Sequence, residues 1–474
     1  MLSLQIIKIT NLYNSNYEVT KIYFNNRDPS IKNVATDVDK MTATLSSVKA
    51  IEIMILIITS LSFDKIAIPH NFVGADTEDF CIQYKASINT ISINCESANL
   101  TDLYAELDSP RILKKESAGI WFLNANIRVY DKATFYINST DTSWLKINST
   151  SGIANNIEVR GKIQIDSVKI SSWDSIGNSY ASTSSNGKNP RSYIKIEEGS
   201  HLHPAKADIT NSEIAYLGYN ASSSWGLSYY SGADSIIKNN KIHHLWYGFY
   251  SANYRFGVYD ILIENNDFFD NHLYGIDPHS GTHDLVIRNN TVYNNGKHGI
   301  ICSRHCDNIT IEENKVFDNF DRGIMLDKNI TNSTIADNII YHNTAQIAIH
   351  TLSNSNKIDN NTVYGGEIGI EISDKSSDNI VSNNVINDTR YGIYLLDAGQ
   401  RNKFFSNSIN NASDCTILIE DAGRRSSDRI TSDQGIFQNN SLSDIGDIVG
   451  LHNSSATDTR STDNVGCIKM EGFL

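Results

Sequence analysis

The stretch "DLVIRNNTVYNNGKHGI", residues 284–300, contains the pattern that decides the fold. Apolar and polar residues alternate in short runs, and each run ends at a pair of asparagines. Alternation with a period of two is typical of β-strands, and asparagine tolerates the left-handed backbone of tight turns. The stretch therefore predicts short strands that are joined by asparagine turns.

The same pattern recurs through the second half of the chain. If the second asparagine of each pair, or its equivalent, is taken as a marker, the spacings are 26, 24, 24, 24, 23, 23 and 23 residues. The markers are Asn240, Asn266, Asn290, Asn314, Asn338, Asn361, Asn384 and Asn407. A second register follows Gly248, Gly275, Gly299, Gly323, Gly369 and Gly392, with Ile347 in the remaining slot.

A repeat of 23–24 residues without a helical segment predicts an all-β fold, a right-handed parallel β-helix. The leucine spacing of leucine-rich repeats, which have a similar period, is absent. Equivalent residues of successive coils should form ladders, with isoleucine, valine and leucine inside. The asparagines are expected to be structural, because their amides can bond to one another along the stack.

The N-terminal region has a different composition. The apolar run "IEIMILIITSLSF", residues 51–63, is too short for a membrane span and is followed by small residues before Asp76. This pattern predicts a secretory signal with cleavage after Ala75, although a buried strand is the alternative. We expect an extension and signal at 1–75, a lead-in at 76–100, the β-helix domain at 101–440 and a tail at 441–474. The mature protein should then be extracytoplasmic and lack a stable membrane span.

Charge and cysteine content add further constraints. The net charge of −14 argues against nucleic acid as a partner, and a polyanionic substrate would need a local cationic groove. Six cysteines, an even number, are compatible with export. Cys81 and Cys95 could pair, whereas a Cys302–Cys306 bridge would need a turn between them.

Ionisable residues concentrate in three successive coils of the predicted β-helix. Four residues after the glycine marker lie His279, Ser303 and Asp327, and Arg304 and Lys328 follow directly. One residue before the glycine lies a second ladder, Tyr247, Tyr274, His298 and Arg322. The two ladders predict a functional site on one outward wall. Solvated surface positions are the alternative interpretation.

Three consecutive strings in these coils resemble the catalytic region of mannuronan 5-epimerases. They are "YGIDPHSGTHDLVIRNN" from residue 274, "KHGIICSRHCDNITIEEN" from 297 and "DRGIMLDKN" from 321. Members of that family are β-helix enzymes that convert mannuronate to guluronate within alginate. The resemblance is greatest to the periplasmic type, and strings such as "LGYNASSSWGLS" from residue 217 extend it over about residues 100–400.

The resemblance implies roles for four residues. His279 corresponds to the proposed proton-abstracting base, Asp277 to the signature acid, and Arg304 to the arginine that neutralises the substrate carboxylate. Tyr274 matches a tyrosine with an acid or base role in related secreted epimerases. The chain departs from the family in having Ser280 where another acid is frequent.

The chemistry of uronate epimerisation fits these residue types. Removing the C5 proton beside a carboxylate requires a cation on that carboxylate, for which Arg304 is suited, with Lys328 or Arg322 as helpers. A neutral histidine suits the base, and Asp277 would fix either its tautomer or the loop. Tyr274 or water would return the proton on the opposite face. Expulsion of the 4-linked sugar instead would make the chain a β-eliminating lyase.

The expected partner is an anionic polysaccharide, bound by a monomer without a cofactor. The residues predicted to contact it are His298, Lys297, Arg322, Asp327, Lys328, Ser303 and Tyr247. No metal is expected, because the spacing of His279, His283, His298, His305, Cys302 and Cys306 matches no zinc pattern. Calcium-binding "GGxGxD" repeats are absent from the sequence. A non-catalytic carbohydrate-binding β-helix is the second class of function left open.

Overall fold

The computed structural model describes residues 81–150, 152–183, 187–199, 204–253, 255, 257–420, 436–438, 440–443 and 468–469. The predicted extension, the cleavage site after Ala75 and most of the tail lie outside these residues. Within them, the chain is a right-handed parallel β-helix, as the repeat predicts. Each regular coil contributes one short strand to each of three long sheets.

The three sheets are numbered in the order in which the chain first enters them. Sheet 1 contains Ile82–Lys85, Thr90–Ile93, Asn126–Val129, Asn156–Val159, Tyr193–Ile196, Gly226–Tyr229, Tyr247–Ser251, Ile276–Pro278, Ile300–Ser303, Arg322–Asp327, Ala345–His350, Ile368–Ser373, Tyr391–Leu396, Cys415–Glu420 and Ile468–Lys469. Sheet 2 contains Ala98–Asn99, Thr134–Asn138, Lys162–Asp166, Lys206–Thr210, Ile236–Lys238, Val258–Tyr259, Leu262–Glu264, Thr282–Arg288, Asp307–Glu312, Thr334–Ala336, Lys357–Asp359, Ile380–Ser382, Lys403–Phe405 and Ile436–Gln438. Sheet 3 contains Leu113–Ser117, Ile120–Leu123, Trp144–Asn148, Lys169–Asp174, Ser179–Tyr180, Glu213–Ala215, Lys241–His243, Asp267–Phe269, Thr291–Tyr293, Lys315–Phe317, Ile339–Tyr341, Thr362–Tyr364, Val385–Asn387, Ser408–Asn410 and Ser441–Ser443.

The core is a column of aliphatic side chains inside the coils. In a strand such as Thr291–Tyr293 the middle residue faces inward and its two neighbours face outward. Equivalent inward residues pair in register, as Ile287, Ile311 and Ile335 do, and all three are fully buried. Because every coil repeats this arrangement, the outward positions also stack, and a functional site can be built from neighbouring coils.

Buried asparagines connect successive coils along one edge of the core. The side chain of Asn290 donates to the Ile263 carbonyl at 2.9 Å and to Asn314 Oδ1 at 3.0 Å. Its own Oδ1 accepts from the backbone N–H and the side-chain amide of Asn266. The preceding Asn289 has a left-handed backbone with φ of 51°. The asparagine pairs are therefore turns and structural ladders, as predicted.

The glycine register is correct except in one coil, where the prediction is wrong by one residue. Ile324 pairs with Ile347, so that Gln346 rather than Ile347 takes the glycine position. In other coils a side chain would clash at the glycine position. At Gly299, for example, an added Cβ atom would lie 2.6 Å from Val316 Cγ1. The side chain of Gln346 fits because it lies against Gly366 of the next coil. A Cβ atom added at Gly366 would lie 2.4 Å from Gln346 Nε2.

The first coil differs from the others. Ile82–Lys85 runs antiparallel to Thr90–Ile93, which in turn pairs in parallel with the next strand of sheet 1. Cys81 and Cys95 form the predicted disulfide across this hairpin. A 3₁₀ turn at Ala86–Ile88 and an α-helix at Leu100–Leu107 complete the coil. Sheet 1 thus begins ahead of residue 101, within the segment that was predicted as a lead-in.

Among the described residues, no helix has the length and apolar character needed to cross a membrane. Leu100–Leu107 has eight residues and begins with a capping box formed by Asn99 and Asp102. Its buried side chains are Leu100 and Leu103, which close the N-terminal side of the core.

Candidate active site

A groove of about 400 Å³ lies on the outer face of sheet 1. Its floor consists of outward residues in the middle of the strands, and its two rims are the ladders at the strand ends. The lining residues are Trp225, Tyr247, Tyr250, Tyr274, Asp277, His279, Lys297, His298, Ile301, Ser303, Arg304, Asp321, Arg322, Met325, Asp327, Lys328 and His350. The groove therefore contains every residue that the sequence suggested for catalysis or substrate binding.

The first rim, at the C-terminal strand ends, is the predicted ladder of His279, Ser303 and Asp327. His279 bridges to Ser303, Ser303 pairs with Asp327, and Asp327 pairs with His350 in the following coil. The register of the first three residues is confirmed. His350 was missed, because the one-residue error at Gln346 placed Thr351 in this position.

The cations of the first rim extend from a repeated turn. Arg304 and His305 have φ values of 62° and 57°, and Lys328 and Asn329 repeat this left-handed pair one coil further on. The Arg304 N–H donates to the Asp327 carbonyl at 2.8 Å, which fixes one turn on the next. Two successive left-handed residues turn the chain sharply away from sheet 1. The turn leaves Arg304 and Lys328 exposed at the groove edge.

The second rim, at the N-terminal strand ends, is a stack of rings. Trp225 stacks on Tyr247 with 5.1 Å between ring centres, Tyr247 on Tyr274 with 4.9 Å, and Tyr274 on His298 with 5.3 Å. The predicted ladder is therefore present, and Trp225 extends it. Burial, reinforced by Asp277 and other carboxylates, raises the pKa of Tyr274 to about 12, so its phenol stays protonated at neutral pH.

His279 is half-buried on the first rim, and its ring is neutral. Burial, followed by the charges of Arg304 and Lys328, lowers the pKa of His279 to about 4. Its Nδ1 lies 2.5 Å from Ser280 Oγ, and Nε2 has no hydrogen-bond partner among the described residues. Asp277 therefore does not fix the tautomer of His279, the first of the two roles expected for it, because among the described residues the bonded ring nitrogen has Ser280 as its partner.

Asp277 lies on the groove floor and is almost fully buried. Burial raises its pKa well above the ordinary value, although a hydrogen bond from Ser303 and the charge of Lys297 oppose the shift. Its Oδ1 has no hydrogen-bond partner in the part of the chain that the structure describes. A buried carboxyl with one unsatisfied oxygen favours the protonated form, which can donate a hydrogen bond.

The groove lining contains four lysine and arginine side chains, and two of them form ion pairs with acidic residues. Arg322 Nη1 lies 2.8 Å from Asp321 Oδ1, Arg322 Nη2 lies 3.4 Å from Glu371 Oε2, and Lys328 Nζ lies 2.8 Å from Asp327 Oδ2. By contrast, Arg304 and Lys297 form no ion pair with any described residue. Of the three cations suggested for carboxylate neutralisation, Arg304 is therefore the one that forms no ion pair within the described part of the chain.

Most residues of the groove floor were not predicted from the sequence. Tyr250, Asp277, Ile301 and Met325 all pack in register as outward residues of sheet 1. Ile301, Met325 and Ala348 form a small apolar cluster beside Tyr274. The signal was present, because Tyr250, Asp277, Ile301 and Met325 each lie two residues after a marker glycine.

Glu371 lies in the next strand of sheet 1 beyond the groove-lining residues. It pairs in register with Ala348 and is almost fully buried. His350 Nε2 lies 3.0 Å from Glu371 Oε2, the same oxygen that Arg322 Nη2 contacts. Burial acts to raise the pKa of Glu371, but His350 and Arg322 outweigh it and lower the pKa. Glu371 also lies two residues after a marker glycine, Gly369, and could have been found by the same rule.

The cysteines beside Arg304 face away from the groove. Cys302 and Cys306 are free thiols buried in the core, and burial raises the pKa of both. Within the described part of the chain, no group of three or more histidine, cysteine, aspartate or glutamate side chains could hold a metal ion.

Comparison with known proteins finds one family match and several sequence relatives. A family described as periplasmic copper-binding protein (NosD) matches residues 191–365 and 304–422. The mannuronan C5-epimerase of Pseudomonas syringae pv. tomato is 28% identical over 222 residues, which cover 44% of this chain and 39% of that protein. The mannuronan C5-epimerase of Pseudomonas fluorescens is 27% identical over 225 residues, covering 44% and 40%. The chain thus matches about two fifths of the length of these curated relatives.

The fold has a solved counterpart. The crystal structure of the periplasmic alginate epimerase AlgG superposes with a TM-score of 0.60 and covers 74% of this chain and 85% of that one. The sequence identity is 24%, so this likeness concerns the fold. The chain is therefore similar in sequence to mannuronan C5-epimerases, and it shares the β-helix fold of the periplasmic alginate epimerase.

Proposed function

We propose that the chain epimerises carbon 5 of uronate residues in a 1,4-linked polyuronate, as its named relatives do with mannuronan. One observation carries the proposal. A neutral histidine and a protonated tyrosine lie on opposite rims of one groove, next to an arginine that forms no ion pair with a described residue. Inversion at carbon 5 needs a base on one face of the sugar ring and a proton donor on the other.

The proposed roles follow from charge and protonation. Arg304 holds the carboxylate of the reacting residue through two parallel hydrogen bonds, so that the negative charge developing on proton removal is stabilised. His279 takes the C5 proton at Nε2, in the tautomer whose Nδ1–H donates to Ser280. Tyr274 returns a proton from the second rim, since its raised pKa keeps the phenol protonated. Asp277, in its protonated form, is placed to donate a further hydrogen bond.

Substrate binding makes His279 a stronger base. The charges of Arg304 and Lys328 contribute to its low pKa in the free protein. A substrate carboxylate on Arg304 offsets part of that charge and so acts to raise the pKa of His279, against the burial that is the main cause of its low value. A base is most effective when its pKa lies near the working pH. Binding and base strength are therefore coupled.

The remaining features of the groove support an anionic sugar polymer. The cationic residues that the acidic chain would need for a polyanion are present there. The aromatic rim and the apolar floor suit the C–H faces of sugar rings. A disulfide in the first coil favours an extracytoplasmic location, like that of the periplasmic epimerase with this fold. We further propose that the protein acts as a monomer and without a cofactor.

Proton NMR of polymannuronate incubated with the protein tests the proposal. The account predicts new guluronate signals and no unsaturated ends. Unsaturated chain ends would identify a β-eliminating lyase instead. An unchanged polymer that still binds would favour a carbohydrate-binding β-helix without catalysis.

A further inference from the structure

Two lysine or arginine side chains of the groove form no ion pair with the described residues, and both belong to the same coil. Lys297 precedes, and Arg304 follows, the sheet 1 strand Ile300–Ser303, so one cation lies on each rim. Lys297 Nζ lies 5.7 Å from the centre of the Tyr274 ring, and its charge acts on Asp277. The charge of Arg304 acts on His279. Each cation therefore reaches back over the coil that carries the proposed reacting groups, from opposite sides.

The groove runs along the axis of the β-helix between its two rims. The lining residues between Tyr247 and His350 come from five successive strands of sheet 1. Stacked strands are about 4.8 Å apart, so this part of the floor is about 19 Å long. A length of several strand spacings accommodates several consecutive sugar rings of an extended chain.

The stereochemistry of the polymer matches cations on both rims. In a 1,4-linked chain joined through equatorial bonds, each ring is turned over relative to its neighbour. Successive carboxylates therefore project from opposite edges of the ribbon. A chain that places one carboxylate on Arg304 presents the next one to the other rim, where Lys297 has no acid partner among the residues that the structure describes.

We infer that Lys297 binds the carboxylate of the uronate next to the reacting one. The inference rests on the proposed function and specifies the substrate more closely: two adjacent uronates are needed for full affinity. A single uronate, or a uronate between neutral sugars, would use Arg304 alone. Lys297 is a specificity residue in this account, since it does not touch the reacting carbon.

A lysine suits this role better than a second arginine would. Its ammonium is a compact charge on a flexible stem, and it demands no fixed plane from its partner. The neighbouring residue can be mannuronate or guluronate, whose carboxylates differ in orientation. Exposed ion pairs contribute modestly and are weakened by salt, so the contribution of Lys297 should be small and salt-dependent.

The chain offers a matched control for testing Lys297. Lys315 is also exposed, forms no ion pair with a described residue, and lies over an aromatic ring, with Nζ 5.1 Å from the centre of Phe317. It lies on sheet 3, outside the groove. Lys297→Ala and Lys315→Ala therefore remove the same charge and the same kind of ring contact, but only the first changes the groove.

The experiment is calorimetric titration of the full-length protein and both variants with methyl mannuronoside, dimannuronate and longer oligomannuronates, at low and high salt. We expect Lys297→Ala to bind the dimer and longer oligomers about two- to fivefold more weakly, as for loss of one exposed ion pair. Its affinity for the monosaccharide should be unchanged, and its salt dependence smaller. Lys297→Arg should keep most of the affinity, and Lys315→Ala should match the wild type.

Two results would overturn the inference while leaving the proposed function intact. In one, Lys297→Ala binds oligomers as tightly as Lys315→Ala does. In the other, Lys297→Ala weakens the monosaccharide as much as the oligomers, which would assign Lys297 to the reacting residue. A wild-type protein that neither binds nor converts any oligomannuronate would instead overturn the proposed function, and the inference with it.

Discussion

At the scale of single residues, His279 and Arg304 should fail in different ways. His279→Ala removes the base and should lower turnover about 10²–10⁴-fold with little effect on polymer affinity. Arg304→Ala should lower both turnover and polymer affinity, because the substrate carboxylate is charged before the reaction as well as during it. Arg304→Lys should recover part of the loss, since an ammonium lacks the planar pair of donors.

Folding must be checked in the same variants. Both side chains border the groove and lie outside the core, so the free energy of unfolding should change by less than about 0.5 kcal/mol. Kinetics and thermal unfolding of the three variants provide the comparison. Equal losses of turnover and affinity in His279→Ala and Arg304→Ala would argue against the separate roles.

The pH dependence of activity follows from the protonation of His279. The base must be neutral, and its pKa is lowered to about 4, so kcat/KM should stay level through weakly acidic pH and fall only as pH drops through about 4. An unperturbed histidine would give a limb near pH 6.5. In Arg304→Ala, the limb of the residual activity should move to higher pH, because one source of the shift is gone.

Polymer binding at each pH is the control for this profile, since uronate carboxylates also titrate in acid. An acid limb near pH 6.5 in the wild type, or one that Arg304→Ala leaves in place, would contradict the electrostatic account of His279.

At the scale of the structural element, the asparagine ladder should be a main source of stability. Asn290→Ala removes a side chain that makes one bond to a carbonyl and shares bonds with Asn266 and Asn314. The buried partners would lose their hydrogen bonds, at about 1–3 kcal/mol for each unsatisfied group. We expect the free energy of unfolding to fall by about 2–5 kcal/mol, as measured by denaturant titration.

The neighbouring Asn289 is the control for the ladder. Its side chain makes an exposed bond to Asn265 at 2.7 Å, and its φ of 51° suits glycine. Asn289→Gly should therefore cost under about 1 kcal/mol. If the two variants were equally destabilised, the turn rather than the buried ladder would be the stabilising feature.

The coil and most residues of the two rims could be predicted from the sequence. Residues at the same offset from the marker glycine become neighbours when the coils stack. The same rule failed where the coil lost one residue. Gln346 replaced a glycine without a visible signal, since the compensating space comes from Gly366 in the next coil. Because of that shift, His350 was not recognised as part of the first rim. Ser280 was missed as the partner of His279, because hydrogen bonds between adjacent side chains depend on the local turn and not on the repeat.

At the scale of the whole molecule, the sequence could not reveal which groove cations are free. In the sequence, Arg322 and Lys328 look equivalent to Arg304. In the structure, Arg322 forms ion pairs with Asp321 and Glu371, and Lys328 forms one with Asp327. Glu371 comes from two coils beyond Arg322, so the ion pair depends on the packed solenoid. The protein can therefore be acidic overall while one groove keeps two unpaired positive charges.

The central claim is that His279 removes the C5 proton, and deuterium exchange tests it most directly. Polymannuronate is incubated in deuterium oxide with the wild-type protein and with His279→Ala, and deuterium at carbon 5 is measured by NMR. The account predicts deuterium at carbon 5 of the newly formed guluronate with the wild type, and loss of nearly all exchange with the folded variant. A folded His279→Ala protein that keeps near-native exchange at carbon 5 would contradict the account and transfer the role of base to another group in the groove.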